Sequence, residues 1–123
     1  MPTSYTLFSP DEMIQLGKEL APISPIILLE GELGTGKTTF AKGFAEALGI
    51  NPEIVQSPTY TYINIYDEKL LHLDMYRLES FQQMVEKGIL DQMQQFSYLL
   101  IEWPKWIEQL ALESYLHLQI KKS

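Results

Sequence analysis

The stretch "PIILLEGELGTGKTTFAKGFAEALG", residues 25–49, limits the possible folds more than any other part of the chain. Residues 25–31 are a short, β-branched apolar run with almost no polar alternation, the pattern of a central strand covered on both faces. After a loop carrying Gly31, Gly34 and Gly36, the residues Phe40, Phe44 and Leu48, with Ala41 and Ala45, recur at three- and four-residue spacing. That periodicity predicts a helix ending at Gly49, a natural C-cap position. A strand, a glycine loop and a helix in this order point to an α/β fold.

Gly31 to Thr38 fits the spacing G-x-x-x-x-G-K-[ST], with the strand before it and the helix after it that the motif requires. Glycines let successive backbone N–H groups converge on phosphate oxygens, and the helix N-terminus adds positive potential. Lys37 is expected to reach the β- and γ-phosphates, and Thr38 to offer its hydroxyl to Mg²⁺. The plainer alternative is a glycine-rich turn that happens to precede a helix.

Composition excludes several classes. At 123 residues and 46% hydrophobic content, the chain fits one globular domain, residues 1–123, without room for a second catalytic domain. It has no cysteine, and its two histidines lie far apart in sequence, so disulfides, thiolate metal sites and zinc chemistry are not expected. The start "MPTSYTLFSPDEM" has neither a basic nor an apolar leader region, and no apolar run approaches the roughly twenty residues of a membrane span, so a soluble, cytoplasmic protein is expected. A formal charge of −7 argues against a surface that grips nucleic acid alone. If nucleic acid is involved, a partner holds it.

The remaining pattern fills in the layers. In "SPDE", Ser9 can cap a helix with Pro10 at its first position and Glu12 three residues after the cap, and Met13, Leu16 and Leu20 mark its buried face. "TYTYINIY" (59–66) and "LLHLDMY" (70–76) alternate around "DEK", predicting an antiparallel hairpin. Its second strand would turn Leu71, Leu73 and Met75 to the core and His72, Asp74 and Tyr76 to the other face. A short helix capped by Ser80 should run to Lys87 and stop at Gly88, and "YLLIEWP" (98–104) reads as another apolar strand ended by Pro104. "KWIEQLA" reads as helical and "YLHLQI" (115–120) as a final edge strand. The fold class is therefore α/β, a three-layer P-loop NTPase-like arrangement with a central mixed sheet carrying an antiparallel hairpin.

Phosphate chemistry needs further groups. Asp74 closes the hydrophobic run "LLHLD" and is a candidate to hold Mg²⁺ directly or through water; the alternative is a solvated strand end. Glu102 closes "YLLIE" at the mouth of a buried strand, where open α/β sheets bind ligands. It could be a second metal ligand, a group that polarises water, or a charged terminus. Ser57 and Thr59 flank a proline in a stretch that either senses nucleotide or simply turns into the hairpin. Arg77 is the only arginine, and could serve as an arginine finger or pair with Asp74 or Glu79. With one arginine, intrinsic turnover should be slow. Trp103 is either core or a base-stacking or partner contact, and His72 reads as structural or surface.

With these stretches placed, the chain resembles the TsaE (YjeE) family of small bacterial P-loop ATPases of tRNA threonylcarbamoyladenosine formation. The resemblance rests on "GELGTGKTTFAKGFAEALGI", "SPTYTYINIY", "HLDMYRL", "GILD" and "IEWP", in family order across most of residues 31–104. It implies an ATP site at Glu32, Leu33, Gly34, Thr35, Gly36, Lys37, Thr38 and Thr39, completed by Thr59 in the Ser57–Tyr60 loop and by Trp103. It also implies that Lys37, Asp74 and Glu102 act in catalysis, with Thr38, Asp74 and Glu102 around Mg²⁺. Tyr76 and Arg77 of the "D-x-Y-R" stretch become site or interface candidates. The partner implied is a TsaD–TsaB-type heterodimer that transfers threonylcarbamoyl to adenosine 37 of tRNAs reading ANN codons, with ATP hydrolysis resetting that complex. The chain departs from the family at "SFQQ", where relatives tend to carry acidic residues. It also stops at "HLQIKKS", where many relatives continue through a further strand, which implies a shorter sheet edge or a truncated chain.

Two other classes compete. A small-molecule or nucleotide kinase needs an acceptor pocket and usually several lid arginines, which one arginine cannot supply. A non-catalytic adaptor would use ATP only to order the Ser57–Tyr60 loop.

Overall fold

The computed structural model describes residues 3–7, 9–32 and 36–122. In chain order these form β1 (Thr3–Leu7), α1 (Pro10–Leu20), β2 (Ile26–Glu30), α2 (Lys37–Ala47), a 3₁₀ turn (Pro52–Ile54), β3 (Ile63–Tyr66) and β4 (Leu70–Asp74). There follow α3 (Phe81–Glu86), α4 (Ile89–Met93), β5 (Tyr98–Glu102), α5 (Ile107–Leu110) and β6 (Leu116–Lys122). The six strands make one sheet in the order β1-β6-β2-β5-β4-β3, parallel except for the antiparallel β3–β4 pair. This is the expected α/β mixed sheet with a hairpin at one edge.

Both faces of the sheet are covered. On one, Ile27, Leu29, Leu70, Leu100, Leu118 and Ile120 meet Met13, Leu16 and Leu20 of α1 and Phe40, Ala41, Phe44 and Ala45 of α2. On the other, Leu28, Leu71, Leu73, Leu99 and Ile101 meet Met84, Ile89, Met93 and Leu110 of the short helices. Burial on both faces is why β2 and β5 read as unbroken apolar runs. It also places His72, on the α2 side of β4, in the interior with no exposed surface.

The two long helices approach closely because glycine faces each across the contact. A Cβ at Gly17 would lie 2.7 Å from Phe44 N, and one at Gly43 would lie 2.8 Å from Ile14 C. Backbone against backbone leaves nothing soft to move aside.

Three expectations change. Residues 59–62 are a turn, not strand: Thr61 and Tyr62 both donate backbone hydrogen bonds to the Pro58 carbonyl, and Tyr62 has φ 67°. The segment 115–120 supplies an inner strand, since β6 lies between β2 and the unanticipated β1. Gly88 (φ 76°) ends α3 but also opens α4, which was not anticipated. Among the described residues, no helix is long and apolar enough to cross a membrane.

Candidate functional site

The helix after β2 begins differently from α1. Helix α1 is closed by Ser9, whose hydroxyl accepts the Glu12 N–H, and it carries Asp11 and Glu12 in its first turn. Helix α2 starts at Gly36 with φ 97°, has no side-chain cap and no acid in its first turn. Among the described residues, its first turn thus has neither the side-chain cap nor the acid that helix starts ordinarily find. That is the local condition for an anion site.

Lys37, the first residue of α2, points inward. Its side chain is 7% exposed, and its buried ammonium lies 3.8 Å from Glu102 Oε1 and 4.2 Å from the Trp103 ring centroid, with no hydrogen-bond partner among the described residues. Burial lowers its pKa below the ordinary lysine value, and attraction to Glu102 and Asp74 offsets this only in part. Net, the folded chain holds a charge that it does not fully compensate.

The two acids come from adjacent parallel strands. Asp74 and Glu102 are register partners at the carboxyl ends of β4 and β5, and both are buried. Asp74 Oδ1 accepts the Tyr76 N–H at 2.8 Å, and its Oδ2 accepts the Thr59 hydroxyl at 3.2 Å. Thr59 Oγ1 in turn lies 2.7 Å from Ser57 Oγ. Glu102 Oε2 sits 2.5 Å from His72 Nε2, which leaves Oε1 on the Lys37 side.

A cleft of about 390 Å³ brings together Gly36, Lys37, Thr38, Thr39, Ser57, Thr59, Asp74, Glu102 and Trp103. A second cavity of about 400 Å³ is lined by Glu32, Thr59, Asp74, Tyr76 and Trp103, three of which it shares with the first. The expected site residues that are described thus gather in one place. Leu33, Gly34 and Thr35 lie outside the described residues.

Trp103 adopts φ 52°, an uncommon conformation for a bulky residue, while its N–H donates to Leu29 O at 3.1 Å. This turn lays the half-buried indole beneath Lys37 and against Tyr76, with ring centroids 5.1 Å apart. Strain of this kind is held by its surroundings and concentrates at sites.

Arg77 neither reaches Lys37's cleft nor pairs with Asp74 or Glu79. Its Nη1 donates to the carbonyls of Thr59 (3.4 Å) and Tyr60 (3.2 Å), and its guanidinium lies over the Tyr60 and Tyr62 rings. It fastens the loop that carries Thr59. Lys105, which sequence reasoning missed, fastens the next segment by donating to Tyr76 O at 3.0 Å and Leu78 O at 2.7 Å. His72, which period-two alternation put on the same face as Asp74, was read as structural or surface; it is buried, and that reading missed its contact with Glu102.

A family model described as "Threonylcarbamoyl adenosine biosynthesis protein TsaE" matches residues 7–123. The chain is 37% identical over 121 residues to the tRNA threonylcarbamoyladenosine biosynthesis protein TsaE of Bacillus subtilis strain 168, covering 94% of this chain and 75% of that protein. It is 41% identical over 120 residues to the TsaE of Synechocystis sp. PCC 6803, covering 87% and 74%, and 42% identical over 93 residues to that of Aquifex aeolicus, covering 68% and 70%. With the family model spanning the glycine loop, both carboxylates and the final strand, the chain belongs to the TsaE family.

Proposed function

We propose that the chain binds ATP with Mg²⁺, hydrolyses it slowly, and by doing so serves threonylcarbamoyl adenosine formation in tRNA. The observation that carries this reading is the buried Lys37 ammonium with no hydrogen-bond partner among the described residues, at the start of a helix without a side-chain cap. A phosphate tail supplies acceptors for the ammonium and an anion for the helix terminus.

The donor set suits Mg²⁺. Thr38, Asp74 and Glu102 would hold the ion, and Asp74 and Glu102 alone are too few for a cage. Mg²⁺ ordinarily takes one or two carboxylates, keeps several waters and finishes its shell with substrate phosphates. When bound, it neutralises charge on the phosphate oxygens.

The chain's own residues divide the remaining work. Lys37 binds phosphate and Trp103 packs against its ammonium, limiting solvent access from that side. Glu102, with Oε2 committed to His72, presents Oε1 to the cleft, where it orients the attacking water. Arg77 is committed to loop carbonyls, so Lys37 is the one protein cation beside the acids among the described residues. Turnover by the chain alone is therefore slow, and a partner accelerates it.

The names of the relatives supply the process, and the charge of −7 supports leaving tRNA to a partner of the TsaD–TsaB type. The test is a pull-down of that pair by the purified chain with and without Mg-ATP, together with the threonylcarbamoyladenosine content of tRNA in cells carrying only Lys37→Ala. Nucleotide-dependent capture and loss of the modified nucleoside are expected. Capture indifferent to nucleotide together with intact modification would refute the proposal.

A further inference from the structure

His72 has no place in the chemistry above, yet both of its ring nitrogens are engaged in the interior. Counting protons fixes its tautomer. The Tyr66 hydroxyl has one proton and two acceptors within reach, Gln56 O at 2.9 Å and His72 Nδ1 at 3.1 Å. Gln56 O has another donor in Asn64 Nδ2 at 3.1 Å, whereas Nδ1 has no other partner among the described residues. Tyr66 O itself accepts the Gln56 N–H at 3.2 Å.

If Tyr66 donates to Nδ1, every group is satisfied, and Nε2 carries the single imidazole proton and donates it to Glu102 Oε2 at 2.5 Å. The opposite assignment requires a buried imidazolium or a protonated Glu102.

We propose that His72 is a positioning residue: held by Tyr66 as the neutral Nε2–H tautomer, it fixes the Glu102 carboxylate so that Oε1 faces the cleft. Through Tyr66, whose oxygen accepts the Gln56 N–H, the same chain of bonds ties Glu102 to the near end of the loop bearing Ser57 and Thr59, while Asn64 Nδ2 holds the Gln56 carbonyl. Thr59 contacts Asp74 directly, so one loop is joined to both acids. The role assigned to Glu102 in hydrolysis is the part that rests on the proposed function; the tautomer does not.

The test uses nitrogen-15 imidazole spectra of the ligand-free chain, calorimetric Mg-ATP binding, and single-turnover hydrolysis of γ-labelled ATP. The variants are His72→Phe, His72→Gln and Tyr66→Phe, with Glu102→Gln as reference. The spectrum should show Nε2 protonated and Nδ1 bare, and Tyr66→Phe should disturb that pattern. His72→Phe should slow hydrolysis on the order of 10²-fold, the cost of a misplaced catalytic group, with Mg-ATP Kd within about threefold of wild type. His72→Gln, whose amide still donates toward Glu102, should recover about tenfold.

An Nδ1–H spectrum overturns the proposal, as does His72→Phe hydrolysing at the wild-type rate while Glu102→Gln is inactive. Should His72→Phe fail to fold, Tyr66→Phe decides, and an unchanged tautomer and rate would count against the relay. If Glu102→Gln hydrolyses like wild type, the hydrolysis reading fails instead, and the spectrum still decides the hydrogen-bond assignment.

Discussion

Replacing Lys37 by methionine should move stability and binding in opposite directions. At 3.8 Å and an effective dielectric of about 20, the attraction between Lys37 and Glu102 is on the order of 4 kcal/mol. The lysine pKa is nevertheless lowered, so the burial penalty outweighs this attraction and that of Asp74 combined. Methionine fills similar volume without a charge, and Glu102 keeps its His72 hydrogen bond. The ligand-free Lys37→Met chain should therefore be as stable as wild type or more so, by up to about 2 kcal/mol.

The pH dependence has a definite sign. With the folded-state pKa below the unfolded value, the unfolded chain binds more protons between those two values. Stability of the wild type should rise with pH through that window, up to the ordinary lysine value of 10.5, and Lys37→Met should lack this contribution. Binding moves the other way: two lost charge-assisted hydrogen bonds to phosphate, at about 1.5–3 kcal/mol each, weaken Mg-ATP by about 10²–10⁴. Urea titrations across pH and calorimetric titration with Mg-ATP measure both. Loss of more than about 1 kcal/mol of ligand-free stability, or Mg-ATP affinity within about threefold of wild type, would refute the reasoning.

Further outcomes follow from the same geometry. Glu102→Gln should keep Mg-ATP affinity within about tenfold while slowing single-turnover hydrolysis by about 10²–10⁴, as expected for loss of a water-orienting base. Arg77→Ala removes the bonds to the Thr59 and Tyr60 carbonyls, so hydrogen exchange at residues 56–62 should quicken about tenfold; an arginine finger would instead cost rate with that loop unchanged. Gly43→Ala drives a methyl into the backbone of α1 and should cost about 1–3 kcal/mol in urea unfolding.

Much of this architecture was legible in the sequence because local rules and tertiary demands agree. The run 25–31, the helix from Lys37 and the Ser9 cap each carry a signal within a few residues. Asp74 and Glu102 were legible for a related reason: each ends an apolar run, and adjacent parallel strands bring such ends together. What depends on neighbours was not legible. Alternation in 115–120 reports which face is buried but not which strands flank it, so an inner strand was taken for an edge. Alternation in 59–62 resembled strand although Pro58 starts a turn there. His72 was undervalued because its partner Glu102 lies thirty positions away and meets it only through the β4–β5 register. Arg77 looked available for phosphate because nothing local shows that loop carbonyls claim it.

The central claim is that Lys37 and the open start of α2 hold the phosphates of a nucleotide. Calorimetric titration of the purified chain with ATP, with and without Mg²⁺ and beside Lys37→Met, tests it most directly. The account predicts one site, binding strengthened by Mg²⁺, and loss of that binding in the variant. Binding of equal strength in wild type and Lys37→Met, or none in wild type, would contradict it.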